Sequence, residues 1–161
     1  MHPLAELLNP QNTACRTAAT SRKRVLQNVA DLICAEHEGH FTQDELFEGL
    51  MNRERLGSTG LGDGVAIPHC RLACEQICVA LITLPEPIDY EAGDGQGVDI
   101  LFVLVVPVDE KQAHLDALAA LAELFALEEN RQALRACTDS ADLMQLMQDL
   151  LNRQVAHSKT A

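Results

Sequence analysis

The chain has 161 residues, of which 47% are hydrophobic, so it is long enough to form one domain with a substantial core. Its formal net charge of -12 disfavours binding to the phosphate backbone of nucleic acids and to anionic membrane surfaces. The sequence has no apolar run near the roughly 20 residues of a membrane span, and it has no signal peptide pattern. We therefore expect a cytoplasmic protein, without nucleic-acid binding or membrane insertion, whose charged partners present a basic face.

From the N-terminus, the sequence predicts a helical turn over residues 4–8 and a short edge strand over 13–18. Apolar residues recur at helical spacing after Ser21, and Gly39 is expected to end that helix. The next helix is predicted to run from Thr42 to about residue 55. Thr42 and Glu45 form a capping-box pattern, which satisfies unpaired N–H groups at a helix start.

A glycine-rich segment follows, with glycines at positions 57, 60, 62 and 64. Because glycine tolerates positive φ, this segment can present several backbone N–H groups to one anion. Residues 65–67 are predicted to form a short buried strand, and Pro68 favours extended geometry in the residue before it. We therefore expect His69 to stand at the end of a rigid strand, beside a flexible loop rich in N–H donors.

The second half of the chain alternates strands with helices. Strands are predicted over 77–84 and 98–106, with turns at 85–87 and 93–97 and with Pro107 ending the second strand. Helices are predicted over 111–127, over 131–136, and from about residue 140 to residue 150 or 151, with Asp109 as the N-cap of the first. This alternation predicts an α/β fold with a mixed central β-sheet sandwiched by helices on both faces. Residues 1–152 would form a single domain, and 153–161 a loose C-terminal tail.

His69 is the first candidate for chemistry, since an imidazole can act as a nucleophile, a proton shuttle or a metal ligand. A purely structural histidine is also possible, but the neighbouring N–H groups favour a site that places phosphoryl oxygens beside the imidazole. The segment has no Gly-Lys-Ser or Gly-Lys-Thr sequence and no G-x-G-x-x-G pattern, which disfavours a nucleotide site.

Two other side chains could join this site. Arg53 lies near the end of its predicted helix and could fold back to offer a planar fork to phosphoryl oxygens, although an arginine exposed at a helix C-terminus is the more frequent case. His114 lies in the first turn of the helix over 111–127, on the same face as apolar residues at 118, 121 and 125. That helix start is expected near the carboxyl end of the preceding strand, where sites in α/β sheets are common. A core histidine bonded to a backbone carbonyl fits the same spacing.

The six cysteines are predicted to be reduced, because the chain is not a small secreted domain that needs disulfides. Cys70, Cys74 and Cys78 have a C-x₃-C-x₃-C spacing, unlike the paired C-x₂-C of zinc sites. We therefore predict neither a metal nor a cofactor. Cys78 is expected to be a buried apolar residue, and Cys70 to be oxidisable if it is exposed.

The segment from Arg53 to His69, RERLGSTGLGDGVAIPH, resembles the active-site segment of the enzyme IIA domains of the phosphotransferase system, fructose/mannitol type. The resemblance extends over about residues 4–150. Within that family the chain is most similar to the nitrogen-regulatory enzyme IIA, because of its Gly57-Ser-Thr-Gly60 run, its Pro85-Glu-Pro-Ile88 segment and the absence of a fused transporter domain. Cys70 stands where the family usually has a glycine, and its side chain could shift the backbone or narrow access to His69.

This resemblance implies a phosphoryl carrier in which His69 accepts phosphate from a histidine-containing phosphocarrier protein, itself charged from phosphoenolpyruvate. The family's phosphate-supporting arginine falls on Arg53, and its second active-site histidine falls on His114. The glycine-rich segment would bind the phosphoryl oxygens through Gly57, Ser58, Thr59 and Gly60. The nitrogen-type branch also implies regulation of targets such as potassium-transport proteins or sensor kinases. The alternatives are a sugar-specific enzyme IIA that passes phosphate to a fructose/mannitol-type permease, and a purely regulatory binding module.

Overall fold

The computed structural model describes residues 1–37 and 40–160, with side chains as far as residue 156. Within this part of the chain, six strands form one mixed sheet, and six helices cover both of its faces. The helices are α1 (Pro3–Leu7), α2 (Arg22–Glu36), α3 (Gln43–Leu56), α4 (Lys111–Phe125), α5 (Glu128–Ala136) and α6 (Ser140–Thr160). The strands are β1 (Thr13–Ala14), β2 (Gly60–Gly62), β3 (Val65–Ala66), β4 (His69–Leu72), β5 (Cys78–Ile88) and β6 (Val98–Pro107). The predicted α/β class is confirmed.

Strand β6 is the centre of the sheet, whose order is β1-β5-β6-β3-β2. Strand β5 lies antiparallel on one side of β6, while β3 and then β4 pair with it in parallel on the other side. The parallel ladder runs from Val65 opposite Ile100 to Leu72 opposite Pro107. Strands β3 and β4 therefore occupy the same position beside β6, and residues 67 and 68 separate them. Pro68 cannot donate to the ladder because it has no N–H.

The core has two layers, one on each face of the sheet. Helices α2 and α3 pack on one face, and α1, α4, α5 and α6 pack on the other. Strand β6 contributes side chains to both layers, because successive side chains of a strand point to opposite faces of the sheet. Leu101, Val103 and Val105 belong to the first layer, and Ile100, Phe102 and Leu104 belong to the second.

Strand β5 is longer than predicted and contains the two prolines that the sequence places in a turn. The register on β6 moves only from Ile100 to Val98 while β5 advances from Thr83 to Ile88, so the segment between them bulges out of the ladder. A bulge tolerates prolines because it needs no N–H from them. The predicted turn at 85–87 is therefore wrong, whereas the turn within 93–97 is confirmed by the bond from Gly95 N to Ala92 O of 3.0 Å.

Four predicted helix boundaries in the second half are wrong, three of them around α4 and α5 and the fourth at the end of α6. Asp109 is not the N-cap of α4, because Glu110 N bonds to Pro107 O at 3.3 Å and this turn puts Glu110 at the cap position, without a side-chain bond. Helix α4 ends at Phe125 rather than at 127, and α5 starts at Glu128 rather than at 131. In the first half, α2 ends at Glu36, and Gly39 lies outside the described residues.

Helix α6 continues to Thr160, past the predicted end at residue 150 or 151. The added stretch contains neither glycine nor proline, and Gln154 Nε2 donates to Ala120 O at 2.9 Å. That 153–161 forms a loose tail stays a prediction. None of the helices in the described ranges, α6 included, has the length and apolar character required to cross a membrane.

Candidate active site

The segment predicted as a flexible glycine-rich loop forms a hydrogen-bonded hairpin. Strand β2 runs antiparallel to β3, and the tip between them has φ values of +94° at Gly62, +56° at Asp63 and +84° at Gly64. Arg135 Nη2 donates to Asp63 O at 2.6 Å, and a Cβ on Gly64 would lie 2.3 Å from the same nitrogen. The positive φ therefore favours glycine at position 64, and a side chain there would displace the Arg135 guanidinium from Asp63 O.

His69 is the first residue of β4, opposite Leu104 on β6, rather than the end of the preceding strand as predicted. Its Nδ1 lies 2.8 Å from the carbonyl oxygen of Ile67, and its Nε2 lies 3.3 Å from Arg53 Nε. A carbonyl only accepts and a guanidinium only donates. The imidazole therefore carries its proton on Nδ1 and has a lone pair on Nε2.

Burial lowers the pKa of His69 below its ordinary value of 6.5, and the charges of Arg53 and Arg71 lower it further. The bond to the Ile67 carbonyl and the charge of Glu54 act in the opposite direction. The net effect favours a neutral imidazole, which is the form that can act as a nucleophile.

Arg53 reaches His69 from the last turn of α3. This helix begins as predicted, with a capping box in which Thr42 Oγ1 accepts from Glu45 N at 3.1 Å and Glu45 Oε1 accepts from Thr42 N at 3.2 Å. Arg53 Nη1 also donates to Gly57 O at 2.8 Å, so the guanidinium is held at both ends. The structure thus brings Arg53 to the imidazole, as the sequence predicts.

His114 reaches the same place from the first turn of α4. Its ring centroid is 5.2 Å from that of His69, with an angle of 61° between the rings. Its Nδ1 lies 3.5 Å from Arg71 Nη2, and its buried Nε2 has no hydrogen-bond partner among the described residues. Burial lowers the pKa of His114, and the charges of His69, Arg71 and Arg53 add to that effect. The ring is therefore expected to be neutral near pH 7.

A surface cavity of about 480 Å³ is lined by His69, Arg53 and His114, together with Arg71. Arg71 was not among the predicted site residues, because strand β4 was not predicted. Residues two apart in a strand share a face, so Arg71 joins His69 only once β4 is known to be a strand. The cavity therefore offers two guanidinium groups and two imidazoles to one anionic group.

Comparison with known proteins identifies the family of the chain. The family model described as "Phosphoenolpyruvate-dependent sugar phosphotransferase system, EIIA 2" matches residues 6–150. The chain belongs to this family. It is therefore a phosphotransferase-system component of the phosphocarrier type.

Three similar proteins carry nitrogen-regulatory names. The "Nitrogen regulatory protein" of Pseudomonas aeruginosa is 39% identical over 152 residues, which cover 94% of this chain and 98% of that protein. The Escherichia coli K12 protein of the same name is 34% identical over 148 residues, which cover 91% of this chain and 90% of that protein. The crystal structure of nitrogen regulatory protein IIA-Ntr from Neisseria meningitidis has a TM-score of 0.83 at 33% identity, covering 89% of this chain and 97% of that one.

In this enzyme IIA, the residues predicted to bind phosphate through the glycine-rich segment do not line the cavity beside His69. Three of the four N–H groups donate elsewhere: Gly57 N to Glu54 O at 3.1 Å, Thr59 N to Glu54 Oε1 at 2.9 Å, and Gly60 N to Ser58 Oγ at 3.1 Å. Direct phosphate binding by Gly57, Ser58, Thr59 and Gly60 stays a prediction. In the structure described here, the same residues support Arg53 and the hairpin.

Cys70, where the family usually has a glycine, points its side chain against helix α3. A Cβ on Gly49 would lie 3.1 Å from Cys70 Sγ, so the glycine in the helix makes room for the thiol. Cys70 is 7% exposed, and burial raises the pKa of its thiol to about 12. The thiol is therefore protonated and unreactive near neutral pH.

All six cysteines are free thiols. Among the residues that the structure describes, no group of three or more histidine, cysteine or acidic side chains is placed to hold a metal ion.

Proposed function

We propose that this enzyme IIA carries phosphate on Nε2 of His69. The observation that carries the proposal is the pair of contacts on that ring: Ile67 O accepts from Nδ1–H at 2.8 Å, and Arg53 lies 3.3 Å from Nε2. The first contact leaves the lone pair on Nε2, and the second puts a cation where phosphoryl oxygens would arrive. Burial, which lowers the pKa of His69, keeps the nucleophile neutral.

In the proposed step, Nε2 attacks the phosphorus of a phosphohistidine on the donor protein. A bond forms between Nε2 and phosphorus while the donor's nitrogen–phosphorus bond breaks, and its electron pair returns to the donor imidazole. The Nδ1 proton of His69 stays in place, bonded to Ile67 O. Arg53 moves from Nε2 to the phosphoryl oxygens, where a guanidinium can make two parallel bonds. Arg71 is a further donor available to those oxygens. Because Arg71 faces Nδ1 of His114 and can only donate, His114 carries its proton on Nε2 and could orient or hydrogen-bond the phosphoryl group.

The proposed donor is a histidine-containing phosphocarrier protein charged from phosphoenolpyruvate, and the proposed place of action is the cytoplasm. A basic face on the donor would suit the chain's net charge of -12. We further propose that the phosphorylation state governs binding to regulatory targets, such as potassium-transport proteins or sensor kinases. The nitrogen-regulatory names of the similar proteins support this branch over sugar transport.

Labelling with phosphoenolpyruvate and the two upstream proteins tests the phosphoryl step. His69→Ala should abolish phosphohistidine, whereas His40→Ala, which changes an exposed histidine, should leave it intact. Persistent histidine labelling of His69→Ala would show that the assignment is wrong.

Arg53 can be tested in the same assay with a matched control. Arg53→Gln should slow labelling by about 10²-fold, because it removes a charged donor aimed at the transferring group. Arg55→Gln removes the same charge from an exposed position two residues away and should label at the wild-type rate. Equal rates for the two variants would remove Arg53 from the proposed mechanism.

The regulatory role is tested by comparing the proteins captured by His69→Ala and by His69→Asp, which mimics the added charge. Different partners are expected, and identical ones would argue against regulation by phosphorylation. Transfer of label from this protein to a fructose/mannitol-type permease would support the sugar-specific alternative instead.

A further inference from the structure

Glu54, the residue after Arg53, holds a buried carboxylate that three donors satisfy. Only 4% of the residue is exposed. Its Oε1 accepts from Thr59 N at 2.9 Å, and its Oε2 accepts from the hydroxyls of Thr59 at 2.5 Å and Tyr90 at 3.1 Å. A buried carboxylate is costly unless it is hydrogen-bonded, so these donors and the carboxylate fix one another.

Two hydrogen bonds connect Thr59 to the imidazole of His69 by way of Ile67. The carbonyl of Thr59 accepts from Ile67 N at 3.0 Å, and the carbonyl of Ile67 accepts from His69 Nδ1 at 2.8 Å. Because Glu54 binds Thr59 through both its N–H and its hydroxyl, it fixes the orientation of the Thr59 carbonyl. Thr59 in turn holds Ile67, the residue whose carbonyl accepts the Nδ1 proton of His69.

The Glu54 carboxylate is not needed to end helix α3. The backbone carbonyl of Glu54 already accepts from Gly57 N at 3.1 Å, which ends the helix. The Glu54 charge also acts on the imidazole directly, since it raises the pKa of His69 against the effect of burial and of Arg53. Glu54 is therefore linked to the His69 imidazole by the hydrogen bonds through Thr59 and Ile67 and by its charge.

We propose that Glu54 is a positioning residue that acts through Thr59 and Ile67 to hold His69 in the Nδ1–H tautomer. The proposal rests on the proposed function, in which Nε2 accepts the phosphoryl group. With the carboxylate in place, the lone pair stays on Nε2, beside Arg53. Without it, part of the population carries the proton on Nε2, and that nitrogen cannot attack phosphorus.

Nitrogen-15 NMR of the histidine rings in the unphosphorylated protein measures this tautomer directly. Glu54→Gln should give a mixture of the two tautomers at His69 and should lower kcat for phosphoryl acceptance by about 10-fold to 100-fold, with KM near the wild-type value. Glu48→Gln removes the same charge from an exposed position of the same helix and should retain the Nδ1–H tautomer and the wild-type kcat.

An unchanged His69 tautomer in a folded Glu54→Gln protein would overturn the proposal. If that substitution prevents folding, Tyr90→Phe removes a single donor to the carboxylate and should shift His69 in the same direction by a smaller amount; no shift would again overturn it. The tautomer is measured without phosphate, so its result is separate from the labelling test. Failure of the proposed function would instead appear as label on a residue other than His69, whatever the tautomer.

Discussion

At the residue scale, the site depends on which neighbours of His69 donate hydrogen bonds and which accept them. An acceptor faces Nδ1 and a donor faces Nε2, so the ring has one tautomer that satisfies both contacts. His69, Arg53 and His114 were candidates from residue type and spacing, and the family resemblance implied their active-site roles. Glu54 could not be found in this way, because an acidic residue in a predicted helix end gives no sign of burial, and the contacts that bury it come from the hairpin and from Tyr90.

The ionisation of His69 gives a prediction that can be tested at this scale. Because burial lowers its pKa in the folded protein, His69 should titrate below 6.5, whereas in urea-unfolded protein it should titrate near that value. The neutral ring is favoured by folding, so this contribution to stability is fully present above pH 6.5 and is lost as the pH falls toward the folded pKa. Proton NMR of the ring hydrogens during a titration measures both values. A folded-state pKa at or above the unfolded one would contradict the burial argument.

At the element scale, His69 and Arg71 share a face because β4 continues the parallel ladder on β6 after the break at Pro68. Sequence patterns predicted the long strands from their apolar runs, and most of the helices from apolar residues at helical spacing or from a cap. They missed β2 and β4, because glycines and a His-Cys-Arg run have no strand signal of their own. Those strands exist through pairing with β3 and β6, which is a tertiary effect.

The contact between α3 and β4 gives a prediction at the element scale. Alanine is favoured over glycine inside a helix by about 0.5–1 kcal/mol, but a Cβ on Gly49 would lie only 3.1 Å from Cys70 Sγ. Gly49→Ala should therefore not stabilise the wild-type protein, and should stabilise a Cys70→Gly variant by about that amount. Urea unfolding of the two single variants and the double variant measures the coupling. Strictly additive free energies would show that the two side chains do not compete for space.

At the scale of the whole molecule, the site lies where the two helical layers meet one end of the sheet. Arg53 comes from α3 in one layer, His114 comes from α4 in the other, and His69 comes from β4 between them. The carboxyl end of β6 leads into α4, so the α/β topology that the sequence predicted also explains why residues far apart in the chain converge. A chain with a net charge of -12 thus gathers two arginines around one cavity.

The central claim is that Nε2 of His69 accepts the phosphoryl group, and NMR of the phosphorylated protein tests it most directly. The protein, labelled with nitrogen-15 at its histidines, is phosphorylated with phosphoenolpyruvate and the two upstream proteins. Coupling between phosphorus-31 and the ring nitrogens then identifies the bonded atom. We predict one new nitrogen–phosphorus bond, at Nε2 of His69, with Nδ1 still protonated. A bond at Nδ1, or at any histidine other than His69, would contradict the account.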